Sequence, residues 1–496
     1  MNKPVDKWKL DTKNIAIELA GGTIPKEAIC LGCAAKVNLV DTVYPALDRV
    51  RERTRNLKHV SFQKRDDSYI FESDGQFSLE RVVLPLMDVG NSKSENITDA
   101  LRKSGSGGAI LLFNFTPQPK VDLFVDVLSN LLFSIEDAQI DTVVGKGHTI
   151  QLARVPEETL VMADFIGHSH GNLFGCANND TISTVDPMLP HTHKFAVSIA
   201  MNNTLNDLFI FGITHDFILY PSYDARNDED IQAIRESLKW YEATFGGMGL
   251  EIRDLGPLGS NNKLIGATAI GFTDREIPIN SGLVPGQRII ATRPIGDLAP
   301  LNEYMMRKSL GENVDDLENL RLKVISTMLV PNVEAAKIIR DYLPEKGREI
   351  DPSKHITATR DMSGPGLLAL EELSEDSHCD IRIDQMNFHD EMIPDIEVTN
   401  VTAGTNGAIL IAAVDGLHDE IMSRLTEAGY DPWVAGIVEE RNDNPGILLN
   451  PDLKRYEFLT FGTIISFDHN YFPNNLFSRY FAVLLTFRLY FTGSKA

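Results

Sequence analysis

The chain has 496 residues, of which 43% are hydrophobic and 24% charged, a composition typical of a globular protein with two or three domains. Its formal net charge of −23 argues against nucleic acid or an anionic membrane surface as a partner, because both require a concentrated basic patch. Four cysteines do not make a disulfide framework, and neither an apolar leader nor a membrane-length apolar run is present, so a cytoplasmic protein is expected.

The first stretch with chemical character is residues 30–37, Cys-Leu-Gly-Cys-Ala-Ala-Lys-Val. Cys33 lies among small residues three positions before Lys36, and a nearby ammonium group and exposed amides both favour the thiolate. The apolar spacing from Val37 to Val50 predicts a helix, which places this loop at a helix start. Cys33 is therefore a candidate nucleophile. A buried structural cysteine, or a Cys-x-x-Cys half-site with Cys30, is the alternative.

Residues 64–71 form a charged cluster at the start of a β-rich run. Its adjacent Asp66 and Asp67 indicate either a salt-bridged turn or the start of a metal site. Residues from about 75 to 165 then mix a Gly/Ser-rich loop with strand-like and helix-like segments, which suggests an inserted module. The stretch 145–149, Gly-Lys-Gly-His-Thr, suits a phosphate-binding loop less well than a hairpin turn.

Four histidines follow as two His-x-His pairs, at 168 and 170 and at 191 and 193. Residues i and i+2 of a strand share a face, so either pair has the spacing of two zinc ligands. Because no third ligand accompanies either pair, polar loop residues are the favoured interpretation.

The next segments carry oxygen ligands on regular elements. Residues 181–186 predict a strand that ends at Asp186, and residues 194–212 predict a mostly apolar helix. Asn203 and Asp207, at i and i+4, share one face of that helix. If buried, the pair needs a partner: a metal, a nucleotide, a helix cap or a neighbouring strand.

The first half continues with an α+β pattern, which the second half repeats. A helix is predicted at 228–245 and a strand at 263–272, and a boundary follows near 283–286. Beyond it come a strand at 288–296, helices at about 315–343, a turn containing Asp361 before a Gly-rich helix start, a strand from 405, a helix at 417–428 and a strand at 433–438. The segment 441–496 holds eight of the 24 phenylalanines, and no function is drawn from it.

Seven of these stretches, taken in order, resemble selenophosphate synthetase (selenide, water dikinase), in the superfamily that includes aminoimidazole ribonucleotide (AIR) synthetase and thiamine-monophosphate kinase. They are Gly32–Val37, Arg65–Tyr69, Ile182–Asp186, Asn203–Asp207, Thr292–Gly296, Arg360–Leu368 and Thr405–Leu410. The chain departs from the family where Ala34 and Ala35 replace a Gly and a second Cys. It also loses one Gly at 405–408, and it lacks the Gly-Gly-His motif after Asp207.

The resemblance implies an α+β, PurM-like architecture of two domains. The expected organisation is a lead-in at 1–29, an ATP-binding domain at 30–282 with an insertion at about 75–165, a C-terminal domain at 283–440, and an aromatic-rich tail at 441–496. In the family the first domains pair into a dimeric β-barrel, so a homodimer is expected.

The resemblance also implies an ATP- and Mg²⁺-dependent phosphoryl transfer that makes selenophosphate, AMP and phosphate from ATP, selenide and water. Mg²⁺ would be held by Asp67, Asp186, Asp207 and Asp361. Lys36, Asp67, Asp186 and Asn203 would contact the nucleotide, while Cys33 would deliver the chalcogen and Lys36 would stabilise the phosphates. Hard oxygen ligands suit Mg²⁺ beside a triphosphate.

Three other functions remain open. One is a kinase or synthetase acting on sulfide, thiamine phosphate or another small acceptor. Another is a catalytically silent nucleotide-binding paralogue, suggested by the missing Gly-Gly-His motif. The third is a zinc protein organised by the paired histidines.

Overall fold

The computed structural model describes most of residues 185–453, with gaps at 224, 226, 255, 258–264, 279–281, 365, 390–405, 444 and 452. Of the first 184 residues it describes 8, 10–20, 44–57, 60–64, 68–73, 81–85, 122, 125, 129, 139–145, 148–155 and 173–182. The described chain combines helices with two six-stranded sheets and one three-stranded sheet, which confirms the α+β class.

The elements are named here in chain order. The helices are α1 (Thr12–Ala20), α2 (Tyr44–Arg53), α3 (Lys194–Phe209), α4 (Asp228–Phe245), α5 (Leu298–Ser309), α6 (Asp315–Leu329), α7 (Val333–Asp341), α8 (Leu368–Ser377) and α9 (Asp415–Glu427). The strands are β1 (Val60–Lys64), β2 (Ser68–Ser73), β3 (Arg81–Pro85), β4 (Gln139–Gly145), β5 (His148–Val155), β6 (Leu173–Ile182), β7 (Phe217–Tyr223), β8 (Leu250–Ile252), β9 (Ile265–Thr273), β10 (Arg288–Ala291), β11 (Ala358–Asp361), β12 (Cys379–Ile383), β13 (Ile409–Ala413), β14 (Trp433–Arg441) and β15 (Ile447–Leu449).

The N-terminal sheet has the order β4-β5-β6-β9-β7-β8 and is antiparallel except for the pair β7–β8. Helices α3 and α4 pack together, and α3 lies on the central strands β6 and β9. Nearly every residue of α3 is buried, including the polar side chains of Asn202, Asn203, Asn206 and Asp207, which therefore need hydrogen-bond partners in the interior. Helix α4 is amphipathic instead, and the side chain of Asn227 caps it by accepting a hydrogen bond from the Asp230 amide.

Two strands of this sheet come from the segment expected to be an insertion. Strand β5 pairs with both β4 and β6, so this part of 75–165 extends the sheet and is not a separate module. Gly145 pairs with His148 at the end of the antiparallel β4–β5 ladder, so β4 and β5 form the hairpin that the sequence favoured over a phosphate loop, while residues 146–147 lie outside the described residues. The remainder of 75–165, including the Gly/Ser-rich loop, lies largely outside the described residues.

The C-terminal sheet has the order β11-β13-β10-β14-β12-β15, antiparallel except for β12–β15. Alternating residues of its central strands face different cores, as the period of two requires. Ile290 and Ile411 face the same hydrophobic core as α3, while Ile289 and Leu410 face a second core on the side of α8. The α3 core thus contains residues from both halves of the chain.

The polar lead-in contains a helix that the sequence analysis did not predict. Ile15 and Leu19 of α1, four residues apart, are buried in the α3 core. Arg321 of α6 donates a hydrogen bond to the Leu19 carbonyl oxygen at 2.9 Å. Helix α1 is therefore an integral part of the fold.

Gly266 of β9 is expected to be intolerant of any side chain. A Cβ atom at this position would lie 2.0 Å from the Asp180 carbonyl oxygen and 2.6 Å from the Thr181 Cα of the paired strand β6. We expect Gly266→Ala to lower the free energy of unfolding by about 1–3 kcal/mol, measured by urea denaturation, because backbone must move. Gly246→Ala is the control, since a Cβ there meets nothing within 4 Å. Equal stability of the two variants would contradict the expectation.

Within the described part of the chain, every helix is too short or too polar to cross a bilayer. In each six-stranded sheet, the described strands form a linear order in which the first and last strands are not paired with each other. Pairing of two N-terminal domains into a shared barrel, and the homodimer that goes with it, stay predictions.

Candidate active site

Polar side chains converge where the C-terminal end of α3 meets β6 on one side and the end of β11 on the other. Most other buried residues of these elements are apolar, so a group of buried polar side chains is unusual in this interior. It consists of Asn178, Asp180, Asn203, Asn206, Asp207, Asn332, Asp361, Ser363 and Asn406. It joins the N-terminal half to the C-terminal half.

On the β6 side, each acidic residue is held by an amide. Asn178 donates to Asp207 Oδ2 at 2.6 Å, and Asn203 donates to Asp180 Oδ2. Asn203 and Asp207 thus share a helix face, as predicted, and the partner of that face is the neighbouring strand β6. The sequence had left this partner open.

On the β11 side, one amide connects the two halves. Asn206 of α3 donates to Asp361 Oδ1 at the end of β11 and accepts a 2.7 Å hydrogen bond from Asn332. Ser363 donates from Oγ to the same Asp361 oxygen at 2.9 Å and accepts from the Gly407 amide at 2.6 Å. Residues more than 150 positions apart therefore meet at Asp361.

The turn before β13 is shaped by Asn406, whose φ of +47° lies in the left-handed region. Asn tolerates this conformation better than most residues other than Gly. The Asn406 side chain donates to the carbonyl oxygens of Met328 and Val330 at 2.6 and 3.0 Å. Its backbone amide donates to Asn203 Oδ1 at 2.7 Å, which couples the turn to the cluster. The Arg293 guanidinium holds the carbonyl oxygen of the same residue.

The carboxyl group of Asp361 has a strongly shifted pKa. This pKa is raised to about 7, chiefly by burial and to a smaller extent by nearby Asp180, against the lowering effect of hydrogen bonds from Ser363 and Asn206. Its Oδ2 is buried and has no hydrogen-bond partner among the described residues. A cation beside this oxygen would satisfy it and favour the charged form.

In metal-free buffer, the wild type should lose stability relative to Asp361→Asn as the pH rises from 4 to 7. The folded-state pKa of about 7 lies above the ordinary value of 3.8, so the folded state holds the proton more tightly. That contribution is complete below the ordinary pKa and disappears through the folded-state value, a change on the order of a few kcal/mol. At pH 8 the variant should be at least as stable as the wild type. Urea denaturation at pH 5 and pH 8 measures this.

The control for that experiment is Asp228→Asn, an exposed residue of α4. Its stability difference from the wild type should be the same at both pH values. If the difference between wild type and Asp361→Asn is also independent of pH, the assignment of the titrating group is wrong.

Asp186, predicted as a metal and nucleotide ligand, lies just after β6 in a buried ion pair. Its Oδ2 accepts from Arg321 Nε and Nη2 at 2.9 and 2.7 Å, and its Oδ1 accepts from the Met188 amide at 2.9 Å. Both side chains are at most 3% exposed. A metal ion at Asp186 would have to displace or share these partners.

The other predicted residues divide by where they lie. Asn203, Asp207 and Asp361 belong to the cluster, whereas Cys33, Lys36 and Asp67 lie outside the described residues and stay predictions. Cys176 of β6 is a described thiol that interacts with this network. Its pKa is raised by burial and by the charge of Asp207. A thiol held in its protonated form is a poor nucleophile, so Cys176 does not replace Cys33 in that role.

The second histidine pair is built into the start of α3. His193 caps the helix, with Nδ1 accepting from the Phe195 amide at 3.2 Å, and burial lowers its pKa. His168 and His170 lie outside the described residues. The described geometry of His193 therefore favours the interpretation as a polar structural residue over that of a zinc ligand.

Sequence reasoning missed several members of the cluster: Asn178, Asp180, Asn206, Asn332, Ser363 and Asn406. A signal for the first three was present. The polar run Asn178-Asn179-Asp180 directly precedes the strand predicted at 181–186, and Asn202 and Asn206 repeat the i, i+4 spacing of Asn203 and Asp207. The others lie in turns, whose convergence depends on the tertiary fold.

Among the described residues, no group of three or more His, Cys, Asp or Glu is arranged to hold a metal ion. Asp186, Asp207 and Asp361 thus do not form the predicted ion-binding set by themselves. Mg²⁺ in nucleotide sites commonly takes only one or two carboxylates together with phosphate oxygens and water. Asp361, with its unsatisfied Oδ2, fits that smaller role.

Comparison with known proteins relates the C-terminal half to a family. Residues 284–447 match the family model described as AIR synthase related protein, C-terminal domain. A search of curated proteins finds no match to the chain. The family match supports a relation of this half to the AIR synthase-related superfamily.

Similar solved structures include thiamine-monophosphate kinase from Stenotrophomonas maltophilia, at 13% identity over 66% of this chain and 95% of that one, with a TM-score of 0.42. The thiamine monophosphate kinase of Aquifex aeolicus is 14% identical over 56% of this chain and 88% of that one, with a TM-score of 0.42. The hydrogenase maturation protein HypE of E. coli is 18% identical over 51% of this chain and 76% of that one, with a TM-score of 0.38.

Proposed function

We propose that this protein is an ATP- and Mg²⁺-dependent phosphoryl transferase that resembles selenide, water dikinase. The observation that carries the proposal is the contact of Asn206 with Asp361, through which two motif stretches far apart in the sequence meet at one buried site. The match of residues 284–447 to the AIR synthase-related family supports it independently.

The cluster has the properties that phosphoryl transfer requires. Catalysis of this reaction depends mainly on positioning and on neutralising phosphate charge. Mg²⁺ bound to ATP would supply the positive charge, and Asp361 would be its ligand from the C-terminal half. The side-chain amides of Asn203 and Asn206 on α3 and of Asn178 on β6 hold Asp180, Asp361 and Asp207, respectively, in fixed orientations, so the site needs little reorganisation when the nucleotide arrives.

Residues outside the described part of the chain complete the proposal. Asp67 would add a ligand for a second phosphate-bound Mg²⁺, Lys36 would stabilise the phosphates, and Cys33 would deliver the chalcogen. Selenide would accept the γ-phosphoryl group to give selenophosphate, and water would then cleave the remaining ADP to AMP and phosphate.

The second candidate is a kinase of the same superfamily acting on thiamine phosphate or another small acceptor. The observation that supports this candidate is Ala35, which stands where the dikinase family has a second loop cysteine, whereas the missing Gly-Gly-His motif supports a silent paralogue. A silent nucleotide-binding paralogue is distinguished from both because it binds ATP without turning it over.

The test uses the full chain with ATP, Mg²⁺ and one acceptor at a time: selenide, sulfide or thiamine monophosphate. Phosphorus NMR follows AMP, ADP and the phosphorylated product. We expect selenide-dependent formation of AMP and selenophosphate, and loss of this activity in Cys33→Ser. Formation of ADP and thiamine diphosphate, unaffected by Cys33→Ser, would favour the second candidate. ATP binding without turnover with any acceptor would overturn both.

A further inference from the structure

A cavity of about 500 Å³ lies between α1, the start of α3 and the end of α4, apart from the aspartate cluster. Its wall is formed by Trp8, Leu10, Asp11, Asn14, Ile15, Glu18, Lys194, Phe195, Trp240, Ala243 and Thr244. This volume is in the range of small-molecule sites. Both polar and apolar residues line it, which distinguishes it from a dry, wholly apolar packing defect.

Aromatic rings form much of the wall. Trp8 and Trp240 both make edge-to-face contacts with Phe245, with ring centroids 5.3 and 6.3 Å apart. Both indoles are half-buried, so each keeps exposed ring surface. Indole faces attract cations more strongly than any other side-chain ring.

One cation of the chain itself, the Lys194 ammonium group, already lies against aromatic rings of the cavity wall. The Lys194 ammonium lies 5.1 Å from the Trp240 ring centroid and 5.5 Å from that of Phe195. It also donates to Glu18 at 2.8 Å, so its charge is balanced within the wall. His193 lies 3.6 Å from the other Glu18 oxygen, and burial lowers its pKa, so it adds no second cation near neutral pH.

The negative charge of Asp11 is not balanced by Lys194, because Lys194 pairs with Glu18. Asp11 and Glu18 give the wall two carboxylates against one ammonium group. Asp11 precedes α1 and accepts the Lys13 amide on Oδ1 at 2.9 Å, which fixes the carboxylate at the cavity edge. Asp11, Asn14, Ile15 and Glu18 follow a helical i, i+3, i+4, i+7 spacing, so one face of α1 lines the cavity.

From these observations we infer that the cavity binds an organic ammonium ion with an aromatic or aliphatic body. The body packs against Trp8, Ile15 and Trp240, and the ammonium group is attracted by Asp11 and the indole faces. This inference is independent of the proposed phosphoryl transfer, because none of its residues belongs to the aspartate cluster.

The probe for the test is 2-phenylethylammonium, with 2-phenylethanol as the neutral compound of matched shape. Two of the three tryptophans of the chain line the cavity, so intrinsic fluorescence reports binding to the full protein. Trp433 is buried elsewhere, with its indole nitrogen bonded to the Arg293 carbonyl oxygen. We expect a saturable fluorescence change with the ammonium ion and affinity for the alcohol at least about 5-fold lower.

Variants locate the site. Asp11→Asn removes the charge but keeps an equally good helix cap, and should weaken binding about 3- to 10-fold. Asp228 lies in the first turn of α4 and outside the cavity wall, so Asp228→Asn should leave the affinity unchanged. Lys194→Met removes the competing ammonium group and should tighten binding about 3-fold.

Three results would overturn the inference. One is the absence of saturable binding by calorimetry and fluorescence. Another is equal affinity for the ammonium ion and the alcohol. The third is an equal effect of Asp11→Asn and Asp228→Asn.

Discussion

Asp361→Asn is expected to lower ATP turnover by about 100-fold or more in the presence of Mg²⁺, at pH 8 where the variant is at least as stable as the wild type. The amide still accepts the hydrogen bonds of Asn206 and Ser363 on its oxygen, so the local geometry is retained. What it loses is the negative charge that would bind Mg²⁺. The measurement is AMP or ADP release at saturating ATP.

The matched control for the turnover experiment is Asp228→Asn, which removes one exposed carboxylate from α4. It should retain full activity. Turnover of Asp361→Asn within about threefold of the wild type would remove Asp361 from the proposed site, since a metal ligand from this half would then be unnecessary.

Arg321→Met should lower the free energy of unfolding by about 3–5 kcal/mol, because it leaves Asp186 buried and without its counter-charge. Arg321 is 3% exposed and also donates to Leu19, so the change loosens α1 as well. Its guanidinium lies 4.6 Å from the Tyr304 ring centroid, a contact that methionine only partly replaces. Urea denaturation measures the loss.

Two further variants separate the causes. Adding Asp186→Asn to Arg321→Met removes the orphaned charge and should recover part of the stability, since a neutral amide is cheaper to bury than a carboxylate. Arg307→Met breaks a more exposed pair with Glu303 and Asp316 and should cost about 1 kcal/mol or less. If all three variants have the same stability, burial of the charge is not the cause.

The regular elements were largely predictable because hydrophobic periodicity survives in a single sequence. Helix α4 was predicted at its observed bounds, and α9 and β14 within a few residues. Helix α1 was missed, although Ile15 and Leu19 are four residues apart, because the surrounding polar residues outnumber them. Strand β6 was expected to reach Asp186, but it ends at Ile182. Asp186 therefore lies beyond the strand, and it is Asp180, within the strand, that belongs to the cluster.

The site was predictable only where ordered motifs identified it. Asn203, Asp207 and Asp361 were predicted from the family pattern, and they join one network. The pairing of Asp186 with Arg321 joins residues 135 positions apart, and charge alone does not select one arginine among many. The same limit applies to Asn332 and Asn406, whose roles follow from turns that the tertiary fold brings together.

Helix α3 belongs to both halves of the molecule. Asn202 donates to the Leu329 carbonyl oxygen of α6, and Asn206 reaches Asp361, so its polar face is matched to the C-terminal half. Recombination that exchanged residues 284–447 for a homologous segment would break these pairings unless the incoming segment carried matching acceptors. The two halves are therefore expected to evolve together, with a substitution on one side of these hydrogen bonds compensated by a substitution on the other side.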